Sequence, residues 1–348
     1  MNNTVKPLIT TIIPTYRRPK LLRRAIKSVL NQTYPHFQVC VYDNASGDET
    51  AQVVAELAQK DPRVKYHCHP ENMGALKNFN YGMKHVETPF FSFLSDDDIL
   101  LPKFYEITLE GFEKYPEAML SWAATAYMDY RGYFLSPFFT LREGLYKPPQ
   151  GMIEIIKHWD IVWTGVLFHK EIIEKIGLID EKVGAPADTD FVLRASAYFP
   201  FVFSLKPGAI LFVNPLLGNE ARRFHFTWPS WLKMISNLTE DEFISYNTRI
   251  LVKQYLTEKL KKRLFQVGIA SILRKNFDDA YESANVLSNN YHLRSRALFL
   301  FSMAKVCQYF PLAYYFIVFL DKIRRFSRRL RCRHLDKEFA NYIRLLDE

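Results

Sequence analysis

Apolar runs of strand length and apolar stripes of helical spacing alternate along the first third of the chain. Leu8 to Ile13 reads as a strand. After the loop from Pro14 to Pro19, Leu21, Leu22, Ala25, Ile26, Val29 and Leu30 recur at the spacing of one helix face. Phe37 to Tyr42 predicts a second strand, and Ala51, Val54, Leu57 and Ala58 a second helix. Arg63 to Cys68, Gly74 to Val86 and Phe90 to Leu94 continue as strand, helix and strand, and Pro102 opens the next helix. Such alternation, with right-handed crossovers, builds an α/β fold around a doubly wound, mostly parallel sheet. The loops that follow its strands share one edge, where such sheets bind ligands.

Near Thr227 the pattern changes. Glycine nearly vanishes, and Thr239-Glu240-Asp241-Glu242 reads as a capping box for a helix running to about Arg263. Further helical patterns cover Gly268 to Leu287 and Leu293 to Phe310. The expected organisation is an α/β domain over 1–235 and a helical region over 236–348. Tyr309 to Leu320 is apolar but too short to span a bilayer, and extension back to Ala297 takes in Lys305, Gln308 and Pro311. From Asp321 to Arg333 seven basic residues face one acid, +6 of the chain's net +9. An aromatic, apolar helix followed by arginines fits an anionic membrane surface; a solvated face on a packed helix is the plainer reading. The aromatic interleaving of a nucleic-acid-binding module is absent, so no nucleic acid partner is expected.

Composition permits a substantial core, with 48% apolar residues in 348. Cys40, Cys68, Cys307 and Cys332 are scattered without metal-ligand spacing, which favours a reducing compartment. Met1 to Lys6 lacks a charged-then-apolar signal segment, so the protein is expected in the cytoplasm, peripheral on the inner face of the cell membrane. No Ser-His-Asp or Cys-His arrangement, P-loop or Gly-x-Gly-x-x-Gly fingerprint occurs. The feature that asks for chemistry is Asp96-Asp97-Asp98 after the Phe90 strand. Three adjacent carboxylates repel one another; a divalent cation relieves this and ties the chain to a diphosphate, and hard oxygen ligands suit Mg²⁺ or Mn²⁺. An acidic turn capping the next helix is the competing reading.

Ile12-Ile13-Pro14-Thr15-Tyr16-Arg17-Arg18-Pro19, Ser28-Val29-Leu30-Asn31-Gln32-Thr33-Tyr34-Pro35, Val41-Tyr42-Asp43-Asn44-Ala45-Ser46-Gly47-Asp48-Glu49-Thr50 and the Asp96 to Asp98 run, in this order, resemble glycosyltransferase family 2. The resemblance implies a GT-A, Rossmann-like nucleotide-sugar-binding fold and a hexosyltransferase-type enzyme that inverts the anomeric carbon. It further implies a UDP- or dTDP-sugar donor, with Asp43 accepting from the base imide. Pro14, Thr15, Tyr16 and Arg18 line the nucleotide, and Asn72, Gly74, Lys77 and Asn78 stand near it, Lys77 reaching a phosphate. Ser95 replaces the first aspartate of the commonest family pattern. A shorter variant, counted back from Pro102, puts Asp97 on the metal and Asp96 on the sugar or ribose side, with Asp98 a supporting or substitute ligand.

The segment Ile176 to Glu181, followed by Ala187-Asp188-Thr189-Asp190-Phe191-Val192-Leu193-Arg194, is similar to the family's acceptor side. There Asp188 matches the base that deprotonates the acceptor hydroxyl. Ala187 replaces the glutamate that usually precedes it. Asp190 is the fallback, although its spacing to Arg194 suits a helix ion pair. Arg222, Arg223 and His225 stand where relatives carry a cation near the pyrophosphate, with Arg222 on the donor and His225 on the metal. Trp159 and Trp163 suit stacking on a sugar as well as core packing. The function implied is metal-dependent sugar transfer to a glycan hydroxyl, with a lipid-linked acceptor in surface polysaccharide or O-antigen synthesis. The alternative is a non-catalytic nucleotide-sugar or glycan-binding module, which Ala187 keeps open.

Overall fold

In the computed structural model, which describes residues 6–129, 132–136, 141–158, 162–213 and 224–347, the alternation read from the sequence is realised through the fourth strand. The order is β1 (Ile9–Thr15), α1 (Pro19–Leu30), β2 (Phe37–Asp43), α2 (Thr50–Lys60), β3 (Val64–Cys68), α3 (Ala75–Lys84) and β4 (Phe90–Phe93). Next come β5 (Ile99–Leu100), α4 (Phe104–Lys114), β6 (Leu120–Asp129), β7 (Phe134–Ser136), β8 (Gly144–Tyr146), α5 (Gln150–His158) and β9 (Val166–His169). α6 (Glu171–Ile176), α7 (Ala187–Tyr198) and β10 (Phe201–Val213) complete this part. β1 is buried along its whole length, as a central strand covered on both faces must be. On α1, Leu22, Ala25, Ile26 and Val29 are fully buried, and Pro19 occupies the first turn, where its missing N–H costs nothing.

The sheet runs β3-β2-β1-β4-β9-β6-β10-β5, with β7 beside β6 and β8 beside β10. β2 and β4 flank β1 in parallel, β3 continues parallel to β2, and β6 pairs with β10 in a long parallel ladder. β9 reverses this by running antiparallel to both β4 and β6. The helix expected at Pro102 is preceded by β5, which pairs antiparallel with β10, so the acidic run lies between two strands and caps no helix. β9 is entered through Gly165, at φ +89°. A Cβ there would stand 2.3 Å from Thr125 Oγ1 and 3.0 Å from Ala123 O.

The chain divides into two compact units, one of residues 1–181, 187–213 and 334–348, the other of 182–186 and 214–333. The boundary read at residue 235 therefore falls at 213, and the chain's last turns belong with the sheet. In the second unit α8 (Phe224–Thr239), α9 (Tyr246–Leu273), α10 (Phe277–Asn289), α11 (Arg294–Tyr309) and the start of α12 (Pro311–Asp347) follow in order. The capping box read at Thr239 is corrected: Thr239 closes α8, Asp241 accepts from Phe243 N in a turn, and Ser245 caps α9 by accepting from Thr248 N. α9 then runs past Gly268 to Leu273, and Asn276 starts α10 by accepting from Asp279 N. α9 buries Val252, Leu256, Leu260, Leu264 and Val267, and packs on α8 and α10 through a stripe at helical spacing. In the first unit the last turns of α12 pack near the acidic run, with Tyr342 Oη donating to Leu100 O at 3.0 Å.

Gly165→Ala should cost about 2–4 kcal/mol, from a side chain forced into positive φ and from overpacking against Thr125. Thermal unfolding reads this directly, and an unchanged midpoint would refute the close approach.

Candidate active site

The acids occupy the turn that follows β4, at the edge where β1 and β2 also end. Leu94 N donates to Ile12 O and Asp98 N to Ser95 O, so the backbone doubles back before β5. α1 fixes this turn from the side. Arg24 Nη2 donates to Asp97 O at 2.8 Å, Leu100 N to Ser28 Oγ at 3.1 Å and Gln32 Nε2 to Leu101 O at 2.7 Å. The turn's backbone is held while its three carboxylates diverge.

Asp98 is buried. Phe212 N donates to its Oδ1 and Thr164 Oγ1 to its Oδ2, both at 2.8 Å, and burial pushes its carboxyl well above the usual range. Both Asp98 oxygens tie the turn to β10 and to the start of β9, which fits the supporting place of the two expected for it. Asp96 accepts from Arg18 Nη1 at 2.9 Å through Oδ1 and from Thr15 Oγ1 at 2.8 Å through Oδ2. Burial raises it to about 6 against the opposing pull of Arg18. Asp97, also raised by burial, keeps a looser contact with Arg18 Nη1 at 3.4 Å.

Asp96 and Asp97 line a cleft of about 460 Å³ together with Pro14, Thr15, Tyr16, Arg18, Asn72, Gly74 and Asn78, so most of the predicted donor-side residues are brought together. Ser95, Asn44, Ala75 and Phe79 line it too. Asn44 is a residue that the motif contains but sequence reasoning did not single out. It is buried, its Nδ2 donates to Asn72 Oδ1 at 2.8 Å and its Oδ1 accepts from Met73 N at 2.9 Å, so it latches the β3–α3 loop to the end of β2. Gly74 adopts φ +89° with open space where a Cβ would stand, which leaves its backbone approachable. Asn78 is held by His69 Nε2 and by Tyr42 O, both at 2.8 Å.

Other expected residues lie elsewhere. Asp43 is buried and outside the cleft lining: Ser46 N and Oγ donate to its Oδ1, and Tyr66 Oη donates to its Oδ2 at 2.7 Å. Its own chain thus supplies donors that hold the Asp43 carboxylate at the end of β2. Lys77 is exposed on α3 and does not line the cleft. Trp163 is buried against Phe79 and Phe93, with ring centroids 4.6 Å away in each case, so it supports the cleft wall from behind. Trp159, Arg222, Arg223 and the side chain of His225 lie outside the described residues.

Asp188, the expected base, stands in the first turn of α7 and accepts from Thr189 N at 2.6 Å. Burial raises it to about 6. It is not among the residues lining the cleft. Asp190 is fully buried and pairs with Arg194 Nε at 2.8 Å, while Arg194 also donates to Ile176 O and Leu178 O. That settles Asp190 as the ion-pair partner of Arg194. It fastens α7 to the segment before it.

Among the described residues no group of three His, Cys, Asp or Glu side chains is placed to hold a metal ion. Mg²⁺ and Mn²⁺ sites of the kind completed by a substrate's phosphates and by water need only one or two protein carboxylates. Asp97, with Asp96 beside it, fits such a site. Both acids are raised by burial and would be relieved by a divalent charge.

Residues 10–177 match the model of glycosyl transferase family 2. An uncharacterized glycosyltransferase of Rickettsia typhi is 28% identical over 251 residues, 70% of this chain and 76% of that protein. A Campylobacter jejuni protein named GalNAc(5)-diNAcBac-PP-undecaprenol beta-1,3-glucosyltransferase is 38% identical over 96 residues, 27% of this chain and 31% of that protein's length. Among solved structures, S. aureus TarS 1-349 in complex with UDP-GlcNAc superposes with TM-score 0.61 at 14% identity, covering 86% of this chain and 91% of that one. Mannosyltransferase PcManGT from Pyrobaculum calidifontis, in complex with GDP-Man and Mn²⁺, gives 0.54 at 16% identity, covering 90% and 86%. The α/β sheet with its helical C-terminal region is the fold these neighbours share. Through residues 10–177 the chain belongs to glycosyl transferase family 2.

Proposed function

We propose that this glycosyltransferase moves a sugar from a nucleoside-diphosphate donor to a hydroxyl of a lipid-linked glycan, with inversion, at the cytoplasmic face of a membrane where surface polysaccharide is assembled. The observation that carries this is the cleft at the strand ends, in which Asp96 and Asp97 face Arg18, Thr15, Asn72 and Gly74 within the family 2 domain. TarS in complex with UDP-GlcNAc supports a UDP-sugar donor, and the undecaprenol-linked acceptor named for the Campylobacter relative supports a lipid-linked one. The Mn²⁺ complex of the Pyrobaculum neighbour supports a divalent metal.

Each residue's task follows from its charge and place. Thr15, Tyr16 and the Asn72–Gly74 loop bind the nucleotide, with the backbone at Gly74 open to close approach. Asp97, with Asp96 beside it, would hold Mn²⁺ or Mg²⁺, and the cation would supply positive charge for a departing diphosphate. Arg18 adds a second positive charge at the same wall, released from Asp96 as the donor enters. The acceptor hydroxyl attacks the anomeric carbon opposite the diphosphate, and Asp188 takes its proton. A carboxylate near 6 is ionised at neutral pH yet more basic than an ordinary one, which suits that step.

Asp97→Asn should abolish Mn²⁺-dependent UDP-sugar binding in calorimetry and leave the unfolding midpoint in place. Asp98→Asn should do the reverse, because it disturbs the bonds to Thr164 and Phe212 N that fasten the turn. If Asp97→Asn unfolds the protein while donor affinity survives in Asp98→Asn and wild type without metal, the metal assignment fails.

Asp188→Asn should lower turnover by roughly 10²–10⁴ with donor affinity unchanged. In the wild type, kcat/KM should fall about tenfold per pH unit below about 6, since a protonated Asp188 accepts nothing. The same burial sets a stability effect. The folded-state value lies above the unfolded one, so ionised Asp188 destabilises the fold above pH 6, and that cost disappears as pH falls towards about 4. Asp188→Asn should therefore melt higher than wild type at pH 7. Donor binding without turnover in wild type, and no effect of the substitution on melting, would favour a non-catalytic binding module. Asp190→Asn should instead cost about 3–5 kcal/mol of stability, as a buried pair loses one partner.

A further inference from the structure

We infer that one face of α12, from Leu312 to Leu330, is a docking surface for an anionic lipid bilayer. The inference goes beyond the catalytic reading and does not depend on it. Leu312, Phe316, Phe319, Ile323, Phe326 and Leu330 recur at spacings of four and three residues, so they form one continuous stripe along the helix. All six are exposed, Leu312 at 86% and Phe316 at 61%. Tyr314 lies on the opposite side, where its Oη donates to Leu273 O at 3.1 Å and Lys275 sits 4.8 Å over its ring, and this fixes which face turns outward. Tyr309 and Phe310, at the elbow where α11 meets α12, extend the apolar surface and are equally open.

Charge decides what covers the stripe. Between residues 311 and 333 the one acid is Asp321, and it is already shared by Arg324 and Arg325 at 2.7 and 2.6 Å. Lys322 and Arg331 are exposed and flank the stripe on its two sides, where long basic side chains reach past an apolar face to a phosphate plane. A second copy laid on the stripe would set these cations against each other, and between residues 311 and 333 no second acid answers them. Anionic headgroups answer them all. A helix with aromatic and leucine residues on one side and arginines on the other lies in the plane of a membrane interface. Among the described residues no single helix is long and apolar enough to cross a bilayer, and α11 with the start of α12, which together have the length, meet at a 118° bend.

The test uses the full-length protein and sedimentation with phosphatidylcholine vesicles, with and without phosphatidylglycerol. Wild type should bind the phosphatidylglycerol vesicles at least tenfold more tightly, and added salt should reduce that margin as surface attraction is screened. Lys322→Gln with Arg331→Gln should weaken binding to them about 25-fold, the product of roughly fivefold for each charge near an anionic surface. Phe316→Ser with Phe319→Ser and Phe326→Ser should weaken it about a hundredfold at low and high salt alike. These side chains are exposed, so circular dichroism and UDP-sugar affinity should not change in either variant. A failure of donor binding in wild type would count against the catalytic reading only. Absence of vesicle binding, or equal binding of wild type and both variants, would overturn the inference. So would a wild-type dimer that the triple serine variant dissociates without any vesicle binding, since a second copy would then cover the stripe.

Discussion

Three neighbouring carboxylates on one turn constrain the whole sheet edge. At an effective dielectric near 20, two charges 4 Å apart repel by about 4 kcal/mol, and burial adds to that. The fold relieves this by sending the three side chains to different partners. Asp98 goes inward to Thr164 and Phe212 N, Asp96 to Thr15 and Arg18, and Asp97 to the cleft. Arg24, Ser28 and Gln32 of α1 hold the backbone in place while they do so. The turn is therefore built so that only Asp96 and Asp97 of the three acids reach the cleft.

The parts of the structure that were legible in the sequence are those decided locally. From β1 to β4 each strand is an apolar run and each helix an amphipathic stripe, so neighbours in sequence fixed both type and extent. The cleft residues Pro14, Thr15, Tyr16, Arg18, Asn72, Gly74, Asp96 and Asp97 were legible because strand-end loops share an edge and because their motifs resemble a known family. What the sequence hid was the direction of individual carboxylates. Asp98 and Asp97 are chemically identical neighbours, and the difference between them is set by Thr164, 66 residues on, and Phe212, 114 residues on. The donors to Asp43 were hidden for the same reason, since Tyr66, which completes them, lies on the adjacent strand.

The helical region shows the complementary weakness of local signals. Thr239 to Glu242 carries the residue types of a capping box, yet Asp241 uses its carboxylate on Phe243 N and the helix waits for Ser245. Side chains that cap helices also close turns, and the pattern alone does not choose between them. Nor does periodicity reveal that the chain's end returns to the sheet. Tyr342 reaches Leu100 O across 242 residues, a contact decided by packing of the first unit.

Burial of functional acids ties stability to chemistry throughout the first unit. Asp96 and Asp188 both rest near 6, so at neutral pH the protein without ligand carries ionised carboxylates in surroundings that disfavour charge. Packing elsewhere offsets that cost, in the fully buried aromatic rings of Phe91, Phe93, Phe168 and Phe191 behind the cleft wall. For Asp96 and Asp97 a cation and donor would lower the cost on binding, so part of the binding free energy is stored beforehand in the unliganded site. Asp188 is held by the Thr189 N–H rather than by a cation, and the cost of its charge persists until it is protonated. Asp96, Asp97 and Asp188 share one physical fact: a carboxylate held out of water seeks whatever positive charge comes within reach.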